Sequence, residues 1–213
     1  MDDKRELRTY AMDSVEIRAD GGDSAQQHIS GHAAVFGTWT RIWDWRERIL
    51  PGAFTRAIAE DDVRALYNHD PNYVLGRNIA GTLDLAEDDQ GLVVDIIPPE
   101  TQWARDLLVT MGRGDVNQMS FGFTVGAEEW VFNEDIDIWD RSIREISRLW
   151  DVSPVTFPAY PSTDAQVRAM GLYVPKPPQE RRRDGGAHGG AQESQIMHRI
   201  RRQRMLDLIE RSL

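Results

Sequence analysis

Short stretches in which apolar and polar residues alternate dominate the first 175 residues of the chain. Clusters of turn-forming residues, such as Glu87–Gly91 and Gly112–Asp115, separate these stretches at intervals typical of hairpins. Alternation places every second side chain on the same face of a strand, so each stretch predicts a half-buried strand. The stretches are HISGHAAVF (28–36), VRALYNHD (63–70), GTLDL (81–85), GLVVDII (91–97) and MSFGFTV (119–125).

Two segments of this body have the spacing of a helix instead. The first follows LPGAF (50–54), where Pro51 and Gly52 open the helix, and the second follows the break at Pro98–Pro99 and ends at Gly112. Apolar residues three and four apart form one face of each, which we expect to pack against the sheet rather than hold a cofactor. They are Phe54, Ala57 and Ile58 in the first helix, and Trp103, Leu107, Leu108 and Met111 in the second. The pattern predicts an α+β body of mostly strands over residues 1–175.

The amino-acid composition changes after residue 175. Residues 176–195 are rich in Pro, Gly and charge and have almost nothing to bury, so they predict a flexible linker. Residues 196–213 return to helical spacing and carry basic residues, which predicts a short basic amphipathic helix.

Composition narrows the chemistry. A hydrophobic fraction of 40% is enough to build a core, and the absence of cysteine excludes disulfides, a thiolate nucleophile and cysteine-ligated metals. No apolar run reaches the roughly 18 residues of a membrane span, and the first residues lack the layout of a signal peptide. We therefore expect a soluble, cytoplasmic protein without membrane contact.

Charge is distributed unevenly between body and tail. The net charge is −10, but residues 176–213 carry nine basic and five acidic residues, which leaves residues 1–175 at −14. An acidic body argues against nucleic-acid binding, because affinity for the phosphate backbone depends on basic groups.

Ser120 is the first candidate for chemistry. In a strand over 118–125, Met119, Phe121 and Phe123 would point into the core, whereas Ser120 and Gly122 would face the other way. Taken alone, such a serine is usually an ordinary strand residue. A glycine beside it also marks a close approach of another group, so a nucleophile is the alternative.

His69 is the second candidate, and we expect it at the end of a strand on the side of Ala65 and Tyr67. It either bonds to a carbonyl or to Asp70, or it serves as a general base within reach of a hydroxyl. His28 and His32 lie in the opening strand region, and no HExxH, GxGxxG or GxxxxGK[ST] motif is present, so we expect neither a metal nor a nucleotide cofactor.

Glu145 and Asp151 interrupt an apolar stretch late in the chain. A partly buried carboxylate at either position could orient an imidazole and stabilise its protonated form. The alternative is an edge charge that keeps the sheet from pairing with other strands.

The order of several motifs resembles the prohead maturation proteases of tailed bacteriophages. The resemblance covers roughly residues 5–170, and its specificity comes from the order and spacing of LPGAF, NHD and MSFGF. The motifs are GxAxxF (31–36), LPGAF (50–54), NHD (68–70), LG (75–76), GL (91–92), MSFGF (119–123) and DVSPVTFPAYP (151–161).

The resemblance implies a serine endopeptidase without a cofactor or metal. It implies Ser120 as nucleophile and His69 as general base, with Asp151 as the third member and Glu145 as the runner-up. Herpesvirus capsid proteases, which are similar in fold to this family, use a second histidine after the serine; here only His188, in the linker, and His198, after it, follow Ser120. That similarity implies a largely antiparallel β-barrel with flanking helices.

The resemblance also implies the substrates and the location. The expected partners are the scaffold protein or the scaffolding segment of the major capsid protein, and the chain itself, with self-cleavage in residues 176–195. The site of action would be the interior of the prohead in the host cytoplasm. The sequence leaves open whether the chain forms a homo-oligomer. Gly122 would leave room for an extended substrate. The rival hypothesis is a non-enzymatic capsid assembly factor; an α/β-hydrolase is disfavoured because no GxSxG motif occurs.

Overall fold

The computed structural model describes residues 4–11, 16–19, 27–42, 44–157 and 173–178. The chain divides into two units, Met1–Pro177 and Pro178–Leu213, and every element below belongs to the first. The predicted helix at 196–213 and all but the first residues of the predicted linker lie outside the described residues. Among the helices described, none is long and apolar enough to cross a membrane.

The described ranges contain eleven strands, two α-helices and one 3₁₀ helix. Strands therefore dominate, as the alternating pattern predicts. In chain order the elements are β1 (Glu6–Ala11), β2 (Glu16–Ala19), β3 (Gln27–Val35), β4 (Thr40–Ile42), β5 (Trp45–Ile49), α1 (Thr55–Glu60), β6 (Arg64–Tyr67), β7 (Asp70–Arg77), the 3₁₀ helix Asn78–Ala80, β8 (Leu83–Glu87), β9 (Gly91–Ile96), α2 (Gln102–Gly112), β10 (Gln118–Asn133) and β11 (Ile138–Val155).

The strands form two sheets. The larger has seven strands in the order β1-β10-β11-β5-β4, with β6 paired to β11 and β7 paired to β6; the smaller has the order β2-β3-β9-β8. Strands β10 and β11 form a long antiparallel hairpin. Two successive parts of β11 pair in parallel with β5 and with β6, so β11 connects the strand that carries Ser120 to the β6–β7 hairpin.

The two sheets do not close into a barrel within the described residues, so that part of the predicted fold is wrong. A closed barrel requires every edge strand to pair with a neighbour, whereas β1, β4 and β7 end the larger sheet and β2 and β8 end the smaller. The sheets instead share one core, to which Ile29 and Leu92 contribute from the smaller sheet and Phe121 and Ile143 from the larger. The α+β class and the mostly antiparallel pairing are as predicted.

Both predicted helices form and pack as expected. Helix α1 begins at Thr55, just after the Pro51–Phe54 turn, and its N-terminus is held by Glu87, which accepts hydrogen bonds from the Phe54 N–H at 2.7 Å and the Thr55 hydroxyl at 2.9 Å. Helix α2 buries its apolar face, and Trp103 packs against the core.

A buried ionic cluster lies where β1 meets β5, β10 and β11. Residues Glu6 and Arg8 pair with Phe123 and Phe121 of β10, so they share the core face of the sheet rather than its outer face. The cluster consists of Glu6, Arg8, Glu47, Glu128 and Arg141, of which all but Glu128 are buried. No pattern in the sequence marks it, since its members are up to 135 residues apart.

Dense pairing keeps these groups charged. The Arg141 guanidinium donates to Glu6 at 2.7 and 2.8 Å, and to Glu47 at 3.0 Å. Burial opposes ionisation of Glu47, but Arg8 and Arg141 outweigh it and hold the pKa of this carboxyl below its ordinary value. Removing one member would leave the remaining buried charges unbalanced.

We predict that Arg141→Met lowers the free energy of unfolding by about 3–5 kcal/mol, because Glu6 and Glu47 would keep only Arg8 as a counter-charge within the buried cluster. The matched control is Arg144→Met on the same strand, where the arginine pairs with Glu129 at the surface and both side chains are about half exposed. That variant should lose less than about 1 kcal/mol. Urea-induced unfolding of the two variants measures the difference, and equal losses would contradict the role of the cluster.

Candidate active site

Ser120 occupies the middle of three hydrogen-bonded strands. As the alternation predicts, Met119, Phe121 and Phe123 are fully buried in the core. Ser120 points to the other face of the sheet. Its cross-strand neighbours on that face are Thr9 of β1 and Ser153 of β11. It is also fully buried, so this face of the sheet is covered as well.

His69 lies in a tight turn and not at the end of a strand, so its predicted alignment with Ala65 and Tyr67 is wrong. Tyr67 pairs with Asp70, which leaves Asn68 and His69 as a two-residue hairpin loop with φ of 55° and 58°. Two successive left-handed residues are typical of the hairpin turn that matches the twist of paired strands, and Asn favours this conformation. The turn interrupts the alternation and redirects the imidazole.

Asn68 fixes this turn against the end of β11. Its backbone N–H donates to the carbonyl of Pro154 at 3.0 Å. Its side-chain oxygen accepts hydrogen bonds from the backbone N–H and the hydroxyl of Thr156 at 2.9 and 3.0 Å. The hairpin that carries His69 is therefore attached to the strand that carries Asp151.

The three predicted residues form one chain of hydrogen bonds. The Oγ of Ser120 is 2.7 Å from Nε2 of His69, and Nδ1 of His69 is 2.5 Å from Oδ2 of Asp151. A carboxylate can only accept here, so the proton lies on Nδ1 and leaves Nε2 free to accept from the serine hydroxyl. This tautomer has the arrangement that a general base requires.

Asp151 is ionised although it is buried. Burial opposes its negative charge, but the hydrogen bond from His69, the guanidinium of Arg5 and the Ser153 hydroxyl together hold the pKa of this carboxyl below its ordinary value. Ser153 donates to Oδ2 at 2.7 Å, and Arg5 contacts Oδ1. Because both carboxylate oxygens are occupied, the orientation of the carboxylate toward His69 is fixed.

Gly122 provides space for this carboxylate rather than for a substrate, contrary to expectation. It pairs with Asp151 across the β10–β11 ladder. A Cβ atom at this position would lie 2.5 Å from Oδ1 of Asp151 and 2.8 Å from Nε and Nη2 of Arg5. Real side chains do not approach so closely, so the glycine is needed for the Asp151–Arg5 pair to fit beside Ser120.

Glu145, the runner-up, lies elsewhere. It pairs with Ala127 far along the hairpin, and its carboxylate is 3.3 Å from Nε of Arg56 with both side chains about half exposed. The histidines of β3 are also engaged elsewhere, because His28 contacts Asp95 and His32 contacts Asp88, both at 2.9 Å. His188 and His198 lie outside the described residues.

Arg5 and Ser153 were not predicted as part of the site. The sequence could have indicated Ser153, because it follows Asp151 by two residues and therefore shares its face of the strand. No local pattern indicates Arg5, since 146 residues separate it from Asp151.

Comparison with known proteins gives three similarities. A family model described as caudovirus prohead serine protease matches residues 13–173. The prohead protease of Enterobacteria phage HK97 is 34% identical over 168 residues, which are 77% of this chain and 68% of that protein. The structure of the bacteriophage T4 capsid assembly protease, gp21, aligns with 11% identity and a TM-score of 0.49 over 71% of this chain and 98% of that chain.

We predict that Gly122→Ala displaces the Asp151 carboxylate, because the new methyl group would occupy its position. The strongly downfield proton resonance expected of an imidazole N–H bonded to a carboxylate should then weaken or disappear in the NMR spectrum. Gly126→Ala on the same strand is the control, since its Cβ would meet Ser147 and Glu145 at 3.1–3.3 Å, away from Asp151. An unchanged resonance in Gly122→Ala would contradict this account of the glycine.

Proposed function

Because the chain belongs to the caudovirus prohead serine protease family, whose role is proteolysis in phage capsid maturation, we propose that Ser120, His69 and Asp151 are its catalytic residues. The observation that carries this proposal is the continuous chain of hydrogen bonds from the Ser120 hydroxyl through His69 to Asp151. A structural serine has no need of an imidazole that is itself oriented by a buried carboxylate.

The proposed mechanism forms and hydrolyses an acyl-enzyme. Nε2 of His69 takes the hydroxyl proton as Oγ of Ser120 attacks the carbonyl carbon of the peptide bond. The proton then passes from Nε2 to the departing amine as the C–N bond breaks, which leaves the acyl group as an ester on Ser120. Water gives a proton to His69 as it attacks this ester, and that proton returns to Oγ when the carboxylic acid product leaves.

Asp151 supports each step through its charge. The imidazole becomes a cation whenever it holds both protons, and the carboxylate at 2.5 Å stabilises that cation in a buried site. The hydrogen bond to Nδ1 also keeps Nε2 directed at Ser120, so the base does not have to be reoriented during the reaction.

Substrate entry requires a change in the described arrangement. Ser120 has no exposed surface, whereas a peptide carbonyl must come within about 3 Å of Oγ to react. The described form is therefore closed, with its catalytic groups assembled before a substrate enters.

The proposed substrates are capsid proteins of the immature shell. They are the scaffold protein, or the scaffolding segment of the major capsid protein, and the chain itself, and the place of cleavage is the interior of the prohead. Support comes from the family and from the similarity to the prohead protease of phage HK97. A non-enzymatic assembly factor is disfavoured, because it would make no use of the bonded serine, histidine and aspartate.

We predict that Ser120→Ala and His69→Ala each lower cleavage of a co-expressed capsid-protein precursor by at least about 10³-fold, because nucleophile and base act as one unit. The matched controls are Ser147→Ala, which removes a hydroxyl bonded to the Thr124 carbonyl, and His32→Ala, which removes an imidazole paired with Asp88. Both controls should cleave at the wild-type rate. Gel analysis and mass spectrometry of the products measure this, and full processing by Ser120→Ala would refute the proposal.

We also predict self-cleavage within residues 176–195, because a sequence rich in Pro, Gly and charge is readily accessible to a protease. Wild-type protein that cleaves its substrate should lose the segment that follows, whereas Ser120→Ala should keep its full mass. Intact-mass spectrometry of both proteins after the same incubation tests this. A full-length wild-type chain in a sample that has cut its substrate would contradict it.

A further inference from the structure

Arg5 lies just before β1 and contacts the proposed catalytic aspartate. Its Nη2 atom pairs with Oδ1 of Asp151, the carboxylate oxygen that His69 does not use. Ser153 and His69 both bind the other oxygen, Oδ2. The partners are thus divided between the two oxygens, and only Arg5 binds Oδ1 among the described residues.

Several contacts fix the position of Arg5. Its backbone carbonyl accepts a hydrogen bond from the N–H of Tyr173 at 2.8 Å, and the ammonium of the preceding Lys4 lies 4.8 Å from the centre of the Tyr173 ring. On the other side, the missing side chain of Gly122 leaves the space that the guanidinium occupies. The backbone of Arg5 is therefore tied to Tyr173, and its guanidinium lies in the space beside Gly122, against the Asp151 carboxylate.

We propose that Arg5 is a positioning residue for the reaction, acting through Asp151; this inference rests on the proposed function. A guanidinium is permanently charged and bonds a carboxylate with a defined geometry. Held on Oδ1, it restricts rotation of the carboxylate and keeps Oδ2 directed at Nδ1 of His69. Arg5 precedes residue 13, where the match to the family model begins, so this contact comes from a part of the chain that the model does not cover.

The charge of Arg5 gives this role a measurable signature. Among the described residues, the cations that contact Asp151 are Arg5 and, when it holds both protons, His69, whereas β10 contributes the neutral Ser120 and Gly122, and β11 contributes Ser153. Arg64, next to Asp151 in the β6–β11 ladder, directs its guanidinium to Asp62 at 3.0 Å, and Asp70 binds Asn72. Without Arg5, the imidazolium that forms during the reaction would be the one cation among the described residues that contacts Asp151, and a second positive charge would no longer weaken its attraction to the carboxylate.

The test compares Arg5→Met, Arg5→Gln and Arg5→Lys in the full chain, with kcat and KM measured across pH on a peptide that spans a capsid-protein cleavage site. Arg5→Met and Arg5→Gln should lower kcat by about 10- to 100-fold with little change in KM, because the carboxylate loses its fixed orientation. In both, the acid limb of kcat/KM should move to higher pH. Arg5→Lys keeps the charge, so its acid limb should stay at the wild-type pH while kcat falls.

Controls separate this inference from the proposed function. Arg64→Met removes a nearby cation that does not contact Asp151, and it should keep the wild-type profile. If Ser120→Ala still cleaves the peptide, the proposed function fails. If Ser120→Ala is inactive but Arg5→Gln and Arg5→Met keep the wild-type kcat and acid limb, only the role of Arg5 is overturned. Should Arg5→Met fail to fold, as a thermal melt would reveal, Arg5→Gln, which retains polar donor atoms, decides the matter.

Discussion

The negative charge of Asp151 in the interior is the constraint on which the site depends. A buried carboxylate is unfavourable unless charge and hydrogen bonds compensate it. His69, Ser153 and Arg5 supply that compensation, and each comes from a different part of the chain or from a neighbouring strand position. The hydrogen bonds that stabilise the buried negative charge of Asp151 also fix the orientation of the His69 imidazole.

Strand β1 links this site to the stability of the fold. Alternation along the strand directs Glu6 and Arg8 into the ionic cluster of the core, while Arg5 and Leu7 lie on the side of Gly122. The cluster holds β1 against the sheet through charge-assisted hydrogen bonds in a place where an unpaired partner would be costly. The position of Arg5 beside Asp151 therefore depends on interactions formed on the opposite face of the same strand.

Local patterns predicted the elements and one face of the site, but not its assembly. Alternation placed Ser120 opposite the core residues, and apolar spacing with turn signals located both helices. The same alternation predicts the wrong position for His69, because Asn68 and His69 adopt left-handed backbone conformations and the strand ends before them. Asn68 is the one local indication of this turn, since asparagine favours that conformation. The choice of Asp151 over Glu145 depends on register, and several bulges between Gly122 and Glu128 shift that register in ways no local pattern reveals. The predicted barrel is wrong for a related reason. Closure depends on pairing between edge strands that are distant in sequence, which no local pattern specifies.

The buried state of Ser120 limits how the enzyme can open. Displacing β1 would break the ionic cluster and remove Arg5 from Asp151, which leaves buried charges uncompensated on both faces of the strand. Displacing the Asn68–His69 turn would break its bonds to Pro154 and Thr156 and separate His69 from Ser120. Both movements dismantle the machinery that a substrate needs. Access to Oγ is therefore least costly when the sheet and this turn stay in place.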